Sequence, residues 1–176
     1  EMRNIALIPL RGGSKGIPGK NLKELNGHPL CSYAINAALE SEKIDEVWVS
    51  SEDKTIINFI KSKFPKVKIR IRPAEFATDN ASTESVILDL INSQSFNSRD
   101  QIILIQCTSP LIVSNDLNLA LEQLEKSQLN SLLSGVEFKR FLWNKDGYPI
   151  NYDIYNRPRR QDFDGIFLEN GAFYIS

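Results

Sequence analysis

Ile5-Ala6-Leu7-Ile8-Pro9-Leu10 runs straight into Arg11-Gly12-Gly13-Ser14-Lys15-Gly16-Ile17-Pro18-Gly19-Lys20-Asn21. The first six residues form a short unbroken apolar run, the pattern of a strand buried on both faces. The segment after it carries four glycines and three cations, Arg11, Lys15 and Lys20. Glycine lets the backbone approach a ligand and bares its N–H donors. Ser14 and Asn21 add neutral hydrogen-bonding groups. A loop both glycine-rich and cationic suits a polyphosphate, whose charge builds further as a leaving group departs. Two familiar nucleotide loops are excluded by spacing. No Gly-x4-Gly-Lys-Ser/Thr occurs here, and the adjacency of Gly12 and Gly13 rules out the dinucleotide GxGxxG.

Outward from this segment, apolar runs alternate with helical patterns. Leu30, Tyr33, Ala34, Ala37 and Ala38 fall at helical spacing behind Pro29, which suits a first turn. Glu46–Ser50 reads as a strand. Asp53 is placed to cap a helix carrying Ile56, Ile57 and Ile60. Val67–Ile71 reads as a short strand, followed by a polar loop from Arg72 to Ser82. Ser82 or Thr83 would cap a helix through Val86, Leu90 and Ile91. Gln101–Gln106 is a second buried-type strand, and Ser114 or Asn115 opens a helix through Leu117, Ala120, Leu121 and Leu124. Ser131–Val136 reads as one more strand. Strands alternating with helices predict right-handed crossovers: a doubly wound α/β fold with a mostly parallel sheet covered on both faces. Such sheets bind ligands at the carboxyl ends of their strands, so chemistry is expected in the loops that follow strands.

The rhythm changes after Glu137. Phe138–Asp164 is rich in Arg, Asn, Asp, Tyr and Pro and has no helical stripe; Lys145-Asp146-Gly147-Tyr148 is a turn signal. The expectation is one domain, residues 1–176, with an insertion at about 138–165 projecting from the sheet as a hairpin with loops.

A net charge of -1, from 21 basic and 22 acidic residues, argues against a nucleic-acid or membrane-surface binder, which needs a basic face. No apolar run approaches the ~20 residues that span a bilayer, and no signal segment opens the chain. Cys31 and Cys107 form no CxxC, and the single His28 supports no His/Cys metal site. Two reduced thiols in a cytoplasmic compartment are expected, or a nuclear one if the source is an animal. Glu1 precedes Met2 and the chain stops in the strand-like run Ala172–Ile175, so both ends read as cut.

Residues 9–18 with Lys20-Asn21 resemble the N-terminal signature of the acylneuraminate cytidylyltransferases, the CMP-sialic acid synthetases. Later segments agree in order: Arg72-Pro73-Ala74-Glu75, Asp79-Asn80-Ala81-Ser82-Thr83, Gln106-Cys107-Thr108-Ser109-Pro110-Leu111, and Arg157-Pro158-Arg159-Arg160-Gln161-Asp162 leading to Glu169-Asn170-Gly171. The resemblance spans residues 4–176. It implies a Rossmann-like nucleotidyltransferase that joins CMP from CTP to the anomeric hydroxyl of N-acetylneuraminate or a related nonulosonic acid, releasing pyrophosphate.

Under that resemblance the nucleotide is held by Arg11, Gly12, Gly13, Ser14, Lys15, Lys20, Asn21, Arg72 and Ser82. Arg11, Lys15 and Lys20 neutralise charge during transfer. Gln106, Arg159, Arg160 and Gln161 meet the sugar, the arginines reaching a partner subunit's site in a homodimer. Cys107 stands where the family usually has proline. Mg²⁺ is the implied cofactor, but the family's Asp-x-Asp metal motif lies beyond Ser176, so no metal ligand is expected within the chain. A chain ending at Ser176 would bind CTP weakly and turn over poorly. Two rival readings remain: legionaminic or pseudaminic acid as acceptor, and a CTP-binding module without catalysis.

Overall fold

The computed structural model describes residues 2–78 and 81–176. Its strands in chain order are β1 (Asn4–Pro9), β2 (Glu24–Leu25), β3 (His28–Pro29), β4 (Glu46–Ser51), β5 (Lys68–Ile71), β6 (Gln101–Ile105), β7 (Leu132–Phe138) and β8 (Ile166–Ile175). The helices are α1 (Leu30–Leu39), α2 (Lys54–Lys63), α3 (Thr83–Ser93) and α4 (Ser114–Ser127). The main sheet has the order β5-β4-β1-β6-β8-β7. β1 pairs in parallel with β4 on one edge and β6 on the other, and β5 extends the parallel set beyond β4. β8 joins β6 antiparallel through Phe173, Tyr174 and Ile175. The mostly parallel α/β sheet expected from the alternation is thus present, and β2 and β3 form a separate small ladder.

The unbroken apolar run of β1 has a direct cause. Ala6 and Ile8 point to one face, where they pack with Val47, Val49, Ile103 and Ile105 beneath α1, α2 and α4. Ile5 and Leu7 point to the other, against Trp48, Ile102, Leu104 and the Val86 and Leu90 side chains of α3. A strand covered on both faces needs apolar residues at every position. Full burial of each Ile or Leu side chain of β1 stabilises the fold by roughly 1.5–3 kcal/mol.

The helix starts follow from local chemistry. Asp53 Oδ1 accepts the N–H groups of Thr55 and Ile56 at 2.7 and 3.0 Å, and Ser82 Oγ accepts that of Ser85 at 3.1 Å. Asp116 Oδ2 accepts the Val113 N–H at the start of α4. Each satisfies a donor that the first turn leaves open.

Two compact units are present. One runs to Leu133 and resumes at Ala172–Ser176, carrying all four helices. The other is Ser134–Gly171. Within the second, Phe141 packs against Tyr152 and Phe163 at centroid distances of 4.6 and 4.8 Å. The Arg157 guanidinium lies 4.6 Å over the Phe141 ring. A turn forms at the expected place, with Asn144 Oδ1 accepting from the Asp146 and Tyr148 N–H groups. β8 starts earlier than its apolar end suggests. Glu169, Asn170 and Gly171 are poor strand formers, and here pairing within the sheet overrides propensity. No helix among the described residues is long and apolar enough to cross a membrane.

β1 also sets the ligand edge. The chain leaves it for β4 on one side and reaches β6 on the other, so the strand order reverses between β1 and β6. A crevice opens at such a reversal, outside the carboxyl ends of the strands. Ile103 lies in this central layer with no exposed surface. Ile103→Ala is expected to cost about 2–5 kcal/mol, read as a lower urea midpoint at unchanged slope.

Candidate functional site

Several strand ends build one cleft. Arg11, Ser14, Lys20 and Asn21 come from the loop after β1, Arg72 from the residue after β5, Ser82 from the cap of α3, and Gln106 from the residue after β6. All of these were singled out in the sequence, and the structure gathers them. Asp79 and Asn80 of the quoted motif lie outside the described residues. Gly13 and Lys15 belong to the same loop but are exposed and do not line the cleft.

The loop is shaped by three contacts. Asn21 is buried, and its Nδ2 donates to the Arg11 carbonyl at 2.8 Å, closing the two ends of the loop on each other. Gly19 adopts φ 63°, the left-handed conformation glycine reaches without steric cost, just before a 3-10 turn at Lys20–Leu22. Gly12 is required for a different reason: a Cβ there would collide with the Asp53 carboxylate. The glycine content is therefore partly a packing demand.

Arg72 is the most constrained cation. Only 5% of it is exposed. Its Nε donates to Ser50 Oγ at 3.1 Å and a terminal nitrogen donates to the Ser50 carbonyl at 2.8 Å. Burial pushes its pKa down, opposed by the Glu52 carboxylate and aided by the positive charge of Arg11. A guanidinium stays protonated regardless, so the site holds a fixed, poorly hydrated positive charge. Ser82 both caps α3 and lines the cleft. The backbone N–H of Gln106 donates to the Ala172 carbonyl at 3.0 Å, leaving its side chain at the cleft.

Cys107 was read from sequence as a reduced thiol and as a departure from the family pattern. The structure gives it a specific contact: its thiol donates to Asn21 Oδ1 at 2.9 Å. The amide that closes the glycine loop is thereby held from below. Glu52, also unmarked in the sequence, accepts the Gly12 N–H at 2.7 Å. Directly before the helix cap Asp53, it reads in sequence as one more polar residue of a helix start. Only the fold brings it under the loop.

Arg159, Arg160 and Gln161 lie in the Ser134–Gly171 unit, all exposed. They line a basic hollow with Lys139, Arg140 and Arg157. Arg159 pairs with Asp162 at 3.3 Å.

A profile of the cytidylyltransferase family matches residues 5–146. The chain belongs to that family. It is 40% identical to an N-acylneuraminate cytidylyltransferase of Oncorhynchus mykiss over 99% of its length, covering 41% of that protein. It is 32% identical to a pseudaminic acid cytidylyltransferase of Campylobacter jejuni, covering 78% of that protein. The chain spans about two-fifths of the N-acylneuraminate relatives it matches. Among solved structures it shares the fold of a CMP:2-keto-3-deoxy-manno-octonic acid synthetase complexed with CTP, at a TM-score of 0.73 and 18% identity over 98% of this chain and 73% of that one. It also resembles 4-diphosphocytidyl-2C-methyl-D-erythritol synthase, at 0.70 and 16%, covering 99% and 75% of the two chains. This family membership agrees with the resemblance drawn from the motifs.

Burial pushes the Cys107 thiol up to about 11 and the Cys31 thiol up to about 12. Neither cysteine is in a disulfide, and both are buried. A raised folded pKa adds stability that is complete below the unfolded value of ~8.5 and is lost as pH rises toward the folded one. At pH 8 the native protein should react with a disulfide reagent at least about a hundredfold more slowly than an unfolded thiol. In guanidinium both cysteines should react at the free-thiol rate. Fast modification of the native protein would contradict the burial of Cys107.

Proposed function

We propose that this chain is the nucleotide-binding part of an enzyme that transfers CMP from CTP to the anomeric hydroxyl of a nonulosonic acid. The observation that carries this reading is the cleft itself: Arg11, Lys20 and Arg72 around one opening, with Ser14, Asn21 and Ser82 as neutral partners. Such a wall suits a triphosphate joined to a polar nucleoside. The names of the relatives give cytidylyl transfer, with N-acylneuraminate in one and pseudaminic acid in the other.

In the reaction the acceptor hydroxyl oxygen attacks the α-phosphorus. The new oxygen–phosphorus bond forms as the bond to the β-phosphate bridge breaks, pyrophosphate leaves and the hydroxyl proton passes to a base. Arg11 and Lys20 hold the β- and γ-phosphates and neutralise charge that grows on the leaving group, while Lys15 approaches from the exposed side of the loop. Gly12 and Gly13 allow close approach of the backbone, and Arg72 and Ser82 hold the cytidine part. Positioning and charge neutralisation supply most of such a rate enhancement.

Mg²⁺ is the cofactor the resemblance implies. The described residues lining the cleft include no carboxylate. Among the described residues no group of three or more His, Cys, Asp and Glu side chains could hold a metal ion. The described side chains of this cleft do not by themselves fit the ion.

Gln106, at the end of β6, faces the acceptor in this reading, and Arg159, Arg160 and Gln161 recognise its carboxylate, which a guanidinium fork matches in geometry. Those three residues would act on the site of a second copy in a homodimer. The exposed Ile150, Tyr155 and Phe167 of the same unit favour an apolar contact of that kind. N-acetylneuraminate is the preferred acceptor, on the higher identity to the N-acylneuraminate enzymes. Pseudaminate is the second reading, supported by the 32% identical relative.

In the full-length protein, Arg11→Ala and Lys20→Ala should each weaken CTP binding about ten- to a hundredfold, the loss of a charge-assisted contact. Calorimetric titration with CTP and a pyrophosphate-release assay with each sugar acid measure this. Unchanged affinity and turnover in both variants would refute the reading.

A further inference from the structure

Glu52 occupies the seam between the end of β4 and the cap of α2. Its Oε1 accepts the Gly12 N–H at 2.7 Å, tying the start of the glycine loop to the neighbouring strand. Its Oε2 is buried and has no hydrogen-bond partner among the described residues. A carboxylate oxygen shut away from water is costly unless positive charge faces it. Arg72 is the buried cation beside this segment: its backbone N–H donates to the Ser51 carbonyl at 2.9 Å, and Ser50 holds its guanidinium. Glu52 is the largest favourable charge acting on its guanidinium, whereas Arg11 acts on it unfavourably. Gly12 is meanwhile packed so closely on Asp53 that no Cβ fits between them. Glu52 and Asp53 together form a bed under the first turn of the loop.

An acid beside a polyphosphate cleft is otherwise a liability. By charge alone it repels a triphosphate, and its loss should tighten binding. Its presence makes sense if the buried Arg72 and the half-buried Arg11 would push apart without a counter-charge. We propose that Glu52 is a positioning residue of the nucleotide site: one carboxylate pins the Gly12 end of the loop and holds the Arg72 guanidinium in place before the triphosphate arrives. This rests on the reading of the cleft as a triphosphate site.

Two variants of the full-length protein separate the parts. Glu52→Gln keeps an acceptor for the Gly12 N–H and the side-chain size but removes the charge facing Arg72. Glu52→Ala removes both. Calorimetry with CTP and amide exchange at Gly12 are the readouts, with the melting temperature as a check on folding. The Ala variant should exchange the Gly12 amide at least tenfold faster and bind CTP at least tenfold more weakly. The Gln variant should keep slow exchange at Gly12 and still lose severalfold in CTP affinity. Wild-type or tighter CTP binding in the Gln variant would overturn the positioning of Arg72, since that is the outcome of simple charge removal. Unchanged Gly12 exchange in the Ala variant would overturn the tether. If wild-type protein does not bind CTP at all, the functional reading fails, while the exchange measurement still decides the tether.

Discussion

β1 is hydrogen-bonded in parallel along both edges and covered on both faces. Such a strand cannot shift register by one residue without exchanging the two cores, so the point at which the chain leaves it is fixed. Every other feature of the site is measured from that point. The glycine loop begins where β1 ends, Gln106 stands at the same edge because β6 pairs with β1, and Arg72 follows because β5 is carried on β4.

On this rigid edge the protein mounts a loop whose chemistry is intrinsically unfavourable: cations crowded together and backbone donors left exposed. The structure offsets this in the layer beneath. Asn21 bonds the Arg11 carbonyl and is itself held by the Cys107 thiol. Glu52 takes the Gly12 N–H, and Asp53 caps α2 while filling the space a Gly12 side chain would need. The loop's shape is thus set by neutral and acidic groups that do not line the cleft, with Asn21 and Cys107 the exceptions. An anion would meet donors already oriented, which lowers the ordering cost of binding.

The two units divide the remaining chemistry. The first holds the cationic cleft, and the second holds a small aromatic core of its own, with Arg157 stacked on Phe141 and further cations around it. The stacked arginine shows how a unit without an α-helix orders a basic surface: the guanidinium lies on an aromatic face while its charge remains at the surface.

The fold class, the helix caps at Asp53 and Ser82, and the glycine-rich cationic loop after the first strand were all legible in the chain. Each depends on residues adjacent in sequence: an unbroken apolar run, a carboxylate or hydroxyl before a helical stripe, glycines interleaved with lysines. The roles of Cys107 and Glu52 were not legible. Asn21 and Cys107 are 86 residues apart, and Gly12 and Glu52 are 40 apart; no local pattern marks either pair. The early start of β8 was hidden for a related reason, since Glu169, Asn170 and Gly171 disfavour a strand until a neighbour pairs with it. The sequence by itself determined which segments become strands, helices and the cationic loop, because period, capping and glycine content act over a few residues. Only the tertiary structure decided which buried groups hold that loop in shape, because those contacts exist only once parallel pairing has brought β1, β4 and β6 side by side.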